Sequence, residues 1–341
     1  MTESDDKQQQ EALGEDTEEP GEESSSPTAS RQQLVPIFAL AVALMAFGFY
    51  EALTYDQKVP GAGQGGEPIA PPDALAGGEG TGEPRAQLSY TPSSAHVSSM
   101  TLTQKSVRQY LRGESEPLET RIQLDITETM SASADPEAIA VDRAYDEVRI
   151  DVTSGGEPVG ADIVLQLENL IAGSKTRAYL DTNGQPVDYE WREVPNPQVR
   201  RAIYLLRDAH RLVTPRFMRD AINTGETWTY SIPMDVEQPA LGVSARGEVE
   251  VANRLQRFEK RGGRRVAVIQ QEFEIATEGT VEVEDYGDAP YTLEGSGAGV
   301  VRFDVDAGRV HTADLDFKRI LSVEQEEGEI DQRSEISVTL R

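Results

Sequence analysis

Cysteine is absent from this 341-residue sequence, and histidine occurs only three times. Without cysteine the chain has no disulfide, no cysteine-ligated zinc, no thiol nucleophile and no lipid-modified cysteine. The histidines, His96, His210 and His311, are far apart and fit neither H-x-H nor H-E-x-x-H spacing. No G-x-S-x-G motif of serine hydrolases is present either. We therefore predict no catalytic residue, no metal ligand and no cofactor, and a protein that is not an enzyme. A catalytic triad is defined in space, so the sequence leaves that alternative open.

Basic residues are also scarce relative to acidic ones. The chain has 32 Lys and Arg against 60 Asp and Glu, which gives a formal net charge of -28 at pH 7. Nucleic acids and anionic lipid surfaces are polyanions and repel such a chain. We therefore predict that no nucleic acid is a partner.

Long apolar runs are limited to one, LVPIFALAVALMAFGFY at residues 34–50. A helix of this length spans about 26 Å, close to the ~30 Å hydrocarbon core of a bilayer. Ala52 and Leu53 extend the run beyond Glu51. The run predicts one transmembrane helix over residues 34–54, in contact with the lipid bilayer. Its membrane-spanning residues are Leu34, Val35, Ile37, Phe38, Leu40, Val42, Leu44, Met45, Phe47, Phe49 and Tyr50.

Two other interpretations of this run are weaker. A cleavable signal peptide would need an unusually long, acidic start, and Ala74-Leu75-Ala76 lies too far away to be its cleavage site. A buried helix would lack a core, because a polar segment lies on each side. The flanking charges, Arg31 and Lys58, do not decide the orientation. We predict a disordered acidic tail over residues 1–33, a Gly/Pro-rich linker over 55–89 and a β-rich domain over 90–341.

Apolar and polar residues alternate through much of the β-rich domain. Ile122, Leu124, Ile126 and Met130 lie on one face of a predicted strand over residues 121–130. Helical periodicity predicts helices over residues 162–171 and from Asn196-Pro197 to Val213. In the second, Val199, Ile203, Leu206, His210 and Val213 share a face. Asn-Gly in Thr182-Asn183-Gly184 predicts a tight hairpin.

These elements predict a mainly β (α+β) fold. After the transmembrane helix we expect a large curved antiparallel sheet or half-barrel of about ten to twelve strands with two inserted helices. A sandwich is the alternative. A strand, an Asp, a Gly-containing turn and a strand occur both at 178–191 and at 301–317, which indicates two weakly repeated halves.

Three glycine-containing segments are candidate ligand sites. The run from Gly295 to Gly299 precedes a strand, whereas a phosphate loop needs a helix N-terminus. It is better explained as a bend in a curved sheet. The segments beginning at Asp181 and Asp304 lack the further ligands of a calcium loop and are better explained as hairpin turns.

The segment at 178–191, the following helix and GETWTY at 225–230 occur together, and a second turn, FDVDAG, lies near the end. In these features residues 95–341 resemble an uncharacterised family of secreted or lipidated bacterial β-rich proteins, a domain of unknown function. That family is distantly similar to the half-barrel lipoprotein carriers of the bacterial envelope. The chain departs from the lipidated members because it has no lipobox cysteine. The resemblance implies an extracytoplasmic (periplasmic) domain on the bacterial inner membrane, with the N-terminus in the cytoplasm, and supplies no catalytic residue.

Two functions follow as hypotheses. The first is binding of a hydrophobic ligand, an acyl chain or an apolar peptide, on the concave face of the sheet. The alternative is a structural or scaffolding role in which the domain contacts another envelope protein. The long linker favours the alternative, because it gives the domain reach.

Overall fold

The structure is a computed structural model that describes residues 86–110, 113–114, 117–194, 197–218, 221–238, 243–283, 287–325 and 328–341. These residues form one antiparallel sheet of 13 strands and two helices. The strands are β1 (Ser93–Tyr110), β2 (Gly113–Glu114), β3 (Leu118–Ala132), β4 (Ala138–Ser154), β5 (Glu157–Pro158), β6 (Lys175–Asp181), β7 (Pro186–Glu193), β8 (Thr227–Gln238), β9 (Val243–Arg261), β10 (Arg264–Val283), β11 (Gly287–Asp304), β12 (Arg309–Gln325) and β13 (Gly328–Leu340). The helices are α1 (Ala161–Ile171) and α2 (Pro197–Val213).

The first and last strands lie next to each other in the middle of the sheet. The order is β7-β6-β4-β3-β1-β13-β12-β11-β10-β9-β8, and the two-residue strands β2 and β5 pair with β1 and β4. The edge strands are β7 and β8, which follow one another in the sequence and are joined through α2. The connection that contains α2 therefore leads from one edge of the sheet to the other.

The half of the sheet from β8 to β12 is strongly curled. Arg319 on β12 and Met234 on β8 lie four strand positions apart, which is about 19 Å in a flat sheet. Nevertheless Arg319 Nη1 lies 3.5 Å from Met234 Sδ. The side of the curl that carries these side chains is called the inner face here.

Glycines allow this curl at β11. Gly297 occupies an inner position opposite Phe273 on β10 and Phe317 on β12. A Cβ atom at Gly297 would lie 2.5 Å from the Asp316 carbonyl oxygen and 2.8 Å from Phe317 Cδ2. The prediction that the glycine run belongs to a strand of a curved sheet, and not to a phosphate loop, agrees with its position within β11.

Both predicted helices are confirmed, and each buries an apolar stripe. Val164, Leu167 and Ile171 of α1 are buried, and the left-handed Gly173 follows the helix as expected of a C-terminal glycine. The buried residues of α2 are Val199, Ile203, Leu206, Ala209, Leu212 and Val213. Their apolar stripe covers the inner face, where α2 contacts β12 and β13.

The N-terminal strap, residues 86–91, holds two hairpin turns together. The Tyr90 N–H donates to the Thr182 carbonyl oxygen at 2.8 Å, and the Thr91 N–H donates to the Gly308 carbonyl oxygen at 3.2 Å. These acceptors belong to the turns β6–β7 and β11–β12, the two turns of the weak repeat. The strap therefore joins one turn from each half of the sheet.

Tyr90 fills the space behind these turns. Its ring lies 5.5 Å from that of Phe217 and 5.2 Å from that of Phe303, and its hydroxyl donates to the Pro215 carbonyl oxygen at 3.0 Å. Pro215 follows α2, so the strap also fixes the C-terminal end of that helix.

The described residues begin with Ala86, whose backbone pairs with that of Ile222. Leu88 is fully buried. Both residues belong to the segment 55–89, whose Gly/Pro-rich composition predicts a linker. The end of that segment thus packs against the folded domain.

The predicted fold class needs one correction. No helix among the described residues is long and apolar enough to cross a membrane. The architecture is therefore mainly β with two helices and, within the described part of the chain, without a transmembrane helix. That prediction rested on the hydropathy of residues 34–54 alone, and these residues, Leu34 to Tyr50 among them, lie outside the described residues. The predicted acidic tail, 1–33, lies outside them as well.

We expect Gly297→Ala to destabilise the fold by about 1–3 kcal/mol, because the added methyl group overpacks the inside of the bend. Urea denaturation measures the loss as a change in the free energy of unfolding. Ser296→Ala, one residue away on the exposed outer face, is the control and should change it by less than about 0.5 kcal/mol. Equal losses for both variants would show that the bend does not require glycine.

Candidate functional site

The interface between α2 and the inner face is the candidate functional site. Two arginines of α2 reach the edge strand β7. The guanidinium carbon of Arg200 lies 5.6 Å from the centre of the Trp191 ring, and that of Arg207 lies 5.7 Å from the Tyr189 ring. Cation–π contacts of this kind contribute about 0.5–1 kcal/mol each at exposed sites. They hold the polar side of α2 against the edge of the sheet.

Under the C-terminal half of α2 lies a charge cluster of four residues, His96, Glu128, Arg143 and His210. The strand register places Glu128 on β3 opposite His96 on β1 and Arg143 on β4. Arg143 Nε donates to Glu128 Oε2 at 2.8 Å. His210 of α2 adds its Nε2 atom 3.8 Å from Oε2, and His96 Nε2 lies 3.8 Å from Oε1. One carboxylate thus faces groups from two neighbouring strands and the helix.

The cluster is enclosed by protein. The side chains of Glu128 and Arg143 are 7% and 8% exposed, and that of His210 is 12% exposed. Burial raises the pKa of Glu128, but the charge of Arg143, the two neighbouring histidines and the hydrogen bond from Arg143 together hold the pKa of the carboxyl below its usual value. Glu128 is therefore ionised at neutral pH and forms a buried ion pair with Arg143.

Both histidines are neutral at neutral pH. Burial lowers the pKa of His210 to about 3, and the charge of Arg143 acts in the same direction. Burial also lowers the pKa of His96, although the charge of Glu128 opposes it. The Thr214 hydroxyl donates to the His210 carbonyl oxygen at 2.7 Å and lies 3.0 Å from His210 Nδ1.

A small cavity lies beside the cluster. Its volume is about 10 Å³, which is the space of one water molecule. Tyr90 of the strap, Val310 of β12 and Leu340 of β13 line it together with the cluster. The site in this conformation therefore has no room for an organic ligand.

The geometry does not favour a metal ion. Within the described ranges, no group of three or more His, Asp or Glu side chains is arranged to hold one. The guanidinium of Arg143 also pairs with the Glu128 carboxylate, which a cation would need as a ligand.

The predicted turn function of the two Asp-Gly segments is confirmed. Asp181 Oδ1 accepts from the N–H groups of Asn183 and Gln185, and Asp304 Oδ1 accepts from those of Asp306 and Ala307.

The structure brings together two of the three histidines. His96 and His210 meet at Glu128, while His311 is exposed on β12. The apolar alternation in β3 contained a signal for this site. Glu128 occupies the inner phase between Ile126 and Met130, where an apolar residue is expected. A charged residue in the apolar phase of a strand predicts a buried partner, which here is Arg143.

No protein-family model matches the sequence, and no curated protein matches it either. The resemblance to the family of bacterial β-rich proteins stays a prediction.

We expect His210 to make the fold sensitive to mild acid. Because its pKa is lower in the folded chain than the usual 6.5, the unfolded chain takes up the proton first. The contribution of neutral His210 to the free energy of unfolding is therefore fully present above about pH 6.5. Below that pH the free energy of unfolding falls by up to about 1.4 kcal/mol per pH unit. His210→Gln should remove about 2 kcal/mol of the loss between pH 7 and pH 5, as measured by urea denaturation. His311→Gln is the control, and an equal change for both variants would contradict the assignment.

The ion pair yields a second expectation. Glu128→Gln leaves Arg143 buried without its counter-charge and should lower the free energy of unfolding by about 3–5 kcal/mol. The double variant Glu128→Gln/Arg143→Met removes both charges and should recover most of this loss. Thermal and urea denaturation of the three proteins measure the effect. A double variant less stable than the single variant would show that Arg143 has another essential partner.

Proposed function

We propose that the domain binds an apolar ligand between the inner face of the sheet and α2, which moves aside as a cover. The observation that carries this proposal is that, in the part of the chain that the structure describes, an amphipathic helix and not a second sheet covers β12 and β13. Removal of α2 would leave a continuous apolar trough in the sheet. Buried residues of three adjacent strands form its floor: Met100, Leu102, Leu315, Phe317, Ile336, Val338 and Leu340.

The contacts of α2 support a movable cover. A buried ion pair seldom stabilises a fold more than apolar residues of the same volume. Charges beneath α2 are therefore not needed to hold the helix on the sheet. Here Glu128 and Arg143 lie beneath His210. The cluster therefore attaches the C-terminal half of α2 to the sheet less firmly than apolar side chains would, and the strap holds only the backbone that follows the helix, at Pro215.

The small cavity sets a condition on this function. Since about 10 Å³ admits one water molecule, a ligand must replace the apolar stripe of α2 and not fill an existing space. The apparent affinity then depends on the fraction of molecules in which the helix has moved. The extracytoplasmic location implied by the family resemblance agrees with such a binding protein and is proposed with it.

The same observation favours a second candidate. If α2 stays in place, the inner face is filled and the domain presents only its outer surface to partners. A structural or scaffolding role, in which the domain contacts another envelope protein, would then be its function.

A fluorescence titration separates the two candidates. The probe is N-phenyl-1-naphthylamine, an apolar dye that brightens on burial, added to the full chain. Ile203→Val trims the buried stripe of α2 and costs about 0.5–1.5 kcal/mol, which raises the open fraction. We expect apparent dye affinity to rise roughly two- to tenfold. Leu165→Ala, on the exposed side of α1, is the control and should leave the affinity unchanged.

The outcomes are distinct. Loss of dye binding in Leu165→Ala with no effect of Ile203→Val would place the dye on the surface. No dye binding by any variant would contradict ligand binding and leave the scaffolding role as the proposal.

Movement of α2 can be followed separately by tryptophan fluorescence in the variant Trp228→Phe. That variant retains Trp191, whose ring contacts Arg200 of α2, as the one tryptophan of the chain.

A further inference from the structure

Apart from the charge cluster, polar side chains also interrupt the apolar inner face at the centre of the sheet. We call Gln104, Ser106, Thr120, Arg319, Gln332 and Ser334 the inner polar patch. The register aligns Arg319 on β12 with Ser334 on β13, and Ser334 with Ser106 on β1. Ser106 Oγ lies 3.2 Å from Ser334 Oγ and accepts from Gln104 Nε2 at 2.8 Å. The patch is therefore a contiguous polar area across adjacent central strands.

All six residues of the patch are buried. Gln332 is 1% exposed, and neither its amide nitrogen nor its amide oxygen has a hydrogen-bond partner among the described residues. A buried polar group without a partner is unfavourable and calls for an explanation such as water or a ligand. Gln332 therefore indicates that this part of the inner face is built to meet a polar group from outside the sheet.

The positive charge of Arg319 indicates that the polar group that meets this patch is negatively charged. Its side chain projects from the inner face, and the residue is 4% exposed. Its Nη1 atom contacts the thioether of Met234, which is a weak acceptor. Burial lowers the pKa of Arg319 to about 10, and the charge of Asp208 on α2 acts against this shift. The patch thus contains one cation and several neutral hydrogen-bonding groups.

Asp208 belongs to the helix that covers the patch. Its carboxylate also pairs with Arg207 at 2.8 Å and with Arg211 at 3.6 Å within α2. When α2 moves aside, Asp208 leaves with it, and its charge no longer acts on Arg319. A carboxylate from a ligand can take its place, because guanidinium and carboxylate groups match in charge and in bidentate geometry.

We propose that the inner polar patch binds the carboxylate head of a long-chain amphipathic ligand whose tail lies in the apolar trough beneath α2. This inference rests on the proposed function and names its ligand class. Arg319 pairs with the carboxylate in place of Asp208, and Gln332 and Ser334 donate hydrogen bonds to it. The tail occupies the positions that the apolar stripe of α2 fills in the closed domain.

The test compares two probes that differ only at the head. They are cis-parinaric acid and its methyl ester, titrated by fluorescence into the full chain at a pH at which the acid is ionised. We expect the wild-type chain to bind the acid at least tenfold more tightly than the ester. Arg319→Met should weaken acid binding at least tenfold and leave ester binding unchanged. Asp208→Asn, which removes the competing carboxylate of α2, should strengthen acid binding.

Arg333→Met is the matched control, since Arg333 lies on the neighbouring strand β13 but on its exposed outer face. It removes the same charge and should alter neither affinity. Circular dichroism checks that each variant is folded. If Arg319→Met does not fold, Gln332→Leu supplies the test, with a severalfold loss of acid binding expected and no loss of ester binding.

Failure of this inference can be told apart from failure of the proposed function. Equal affinity for acid and ester, unchanged in Arg319→Met or Gln332→Leu, would overturn the head-group site and leave apolar binding intact. If neither probe binds, the proposed function and this inference are both wrong. Equal losses of acid affinity in Arg319→Met and Arg333→Met would show that the effect depends only on the net charge of the protein, which would also overturn the site.

Discussion

An antiparallel sheet of this width cannot leave one apolar face in water, and the structure follows from how that face is covered. The β8–β12 half curls until Arg319 and Met234 meet, which the glycines of β11 permit. The other half depends on helices. Because β7 and β8 are opposite edges and consecutive in the sequence, the connection between them has to traverse the sheet, and α2 covers the inner face on the way.

Local patterns were sufficient to predict the helices and much of the sheet. The stripe at Val199, Ile203 and Leu206 predicts α2, and alternation around Ile122 predicts β3, because both depend on near neighbours. The order of the strands depends on distant pairing and was not predictable. Met100 pairs with Leu340, and no local periodicity encodes such a partner. The transmembrane helix was predicted from the hydropathy and length of one local run, residues 34–54, and no contact with the rest of the chain entered that prediction.

The candidate site illustrates the same division. His96, Glu128 and His210 come from two strands and a helix, so spacing could not bring them together. Glu128 was nevertheless visible as a charge in the apolar phase of β3. Gln332 and Arg319 likewise stand in inner phases of their strands. Polar residues at apolar positions were thus the readable signs of both buried polar regions, and only the register shows which of them meet.

The position of β1 beside β13 has a consequence for how the chain folds. Ser106 and Ser334, which meet at the centre of the sheet, are separated by 228 residues. The strands β1 to β7 can pair locally as they are synthesised, but β1 then remains an open edge until the last strand arrives. Sheets with such distant contacts fold slowly, and an unpaired edge invites pairing with other chains. Removal of the final strand would therefore split the sheet at its centre and not trim its margin.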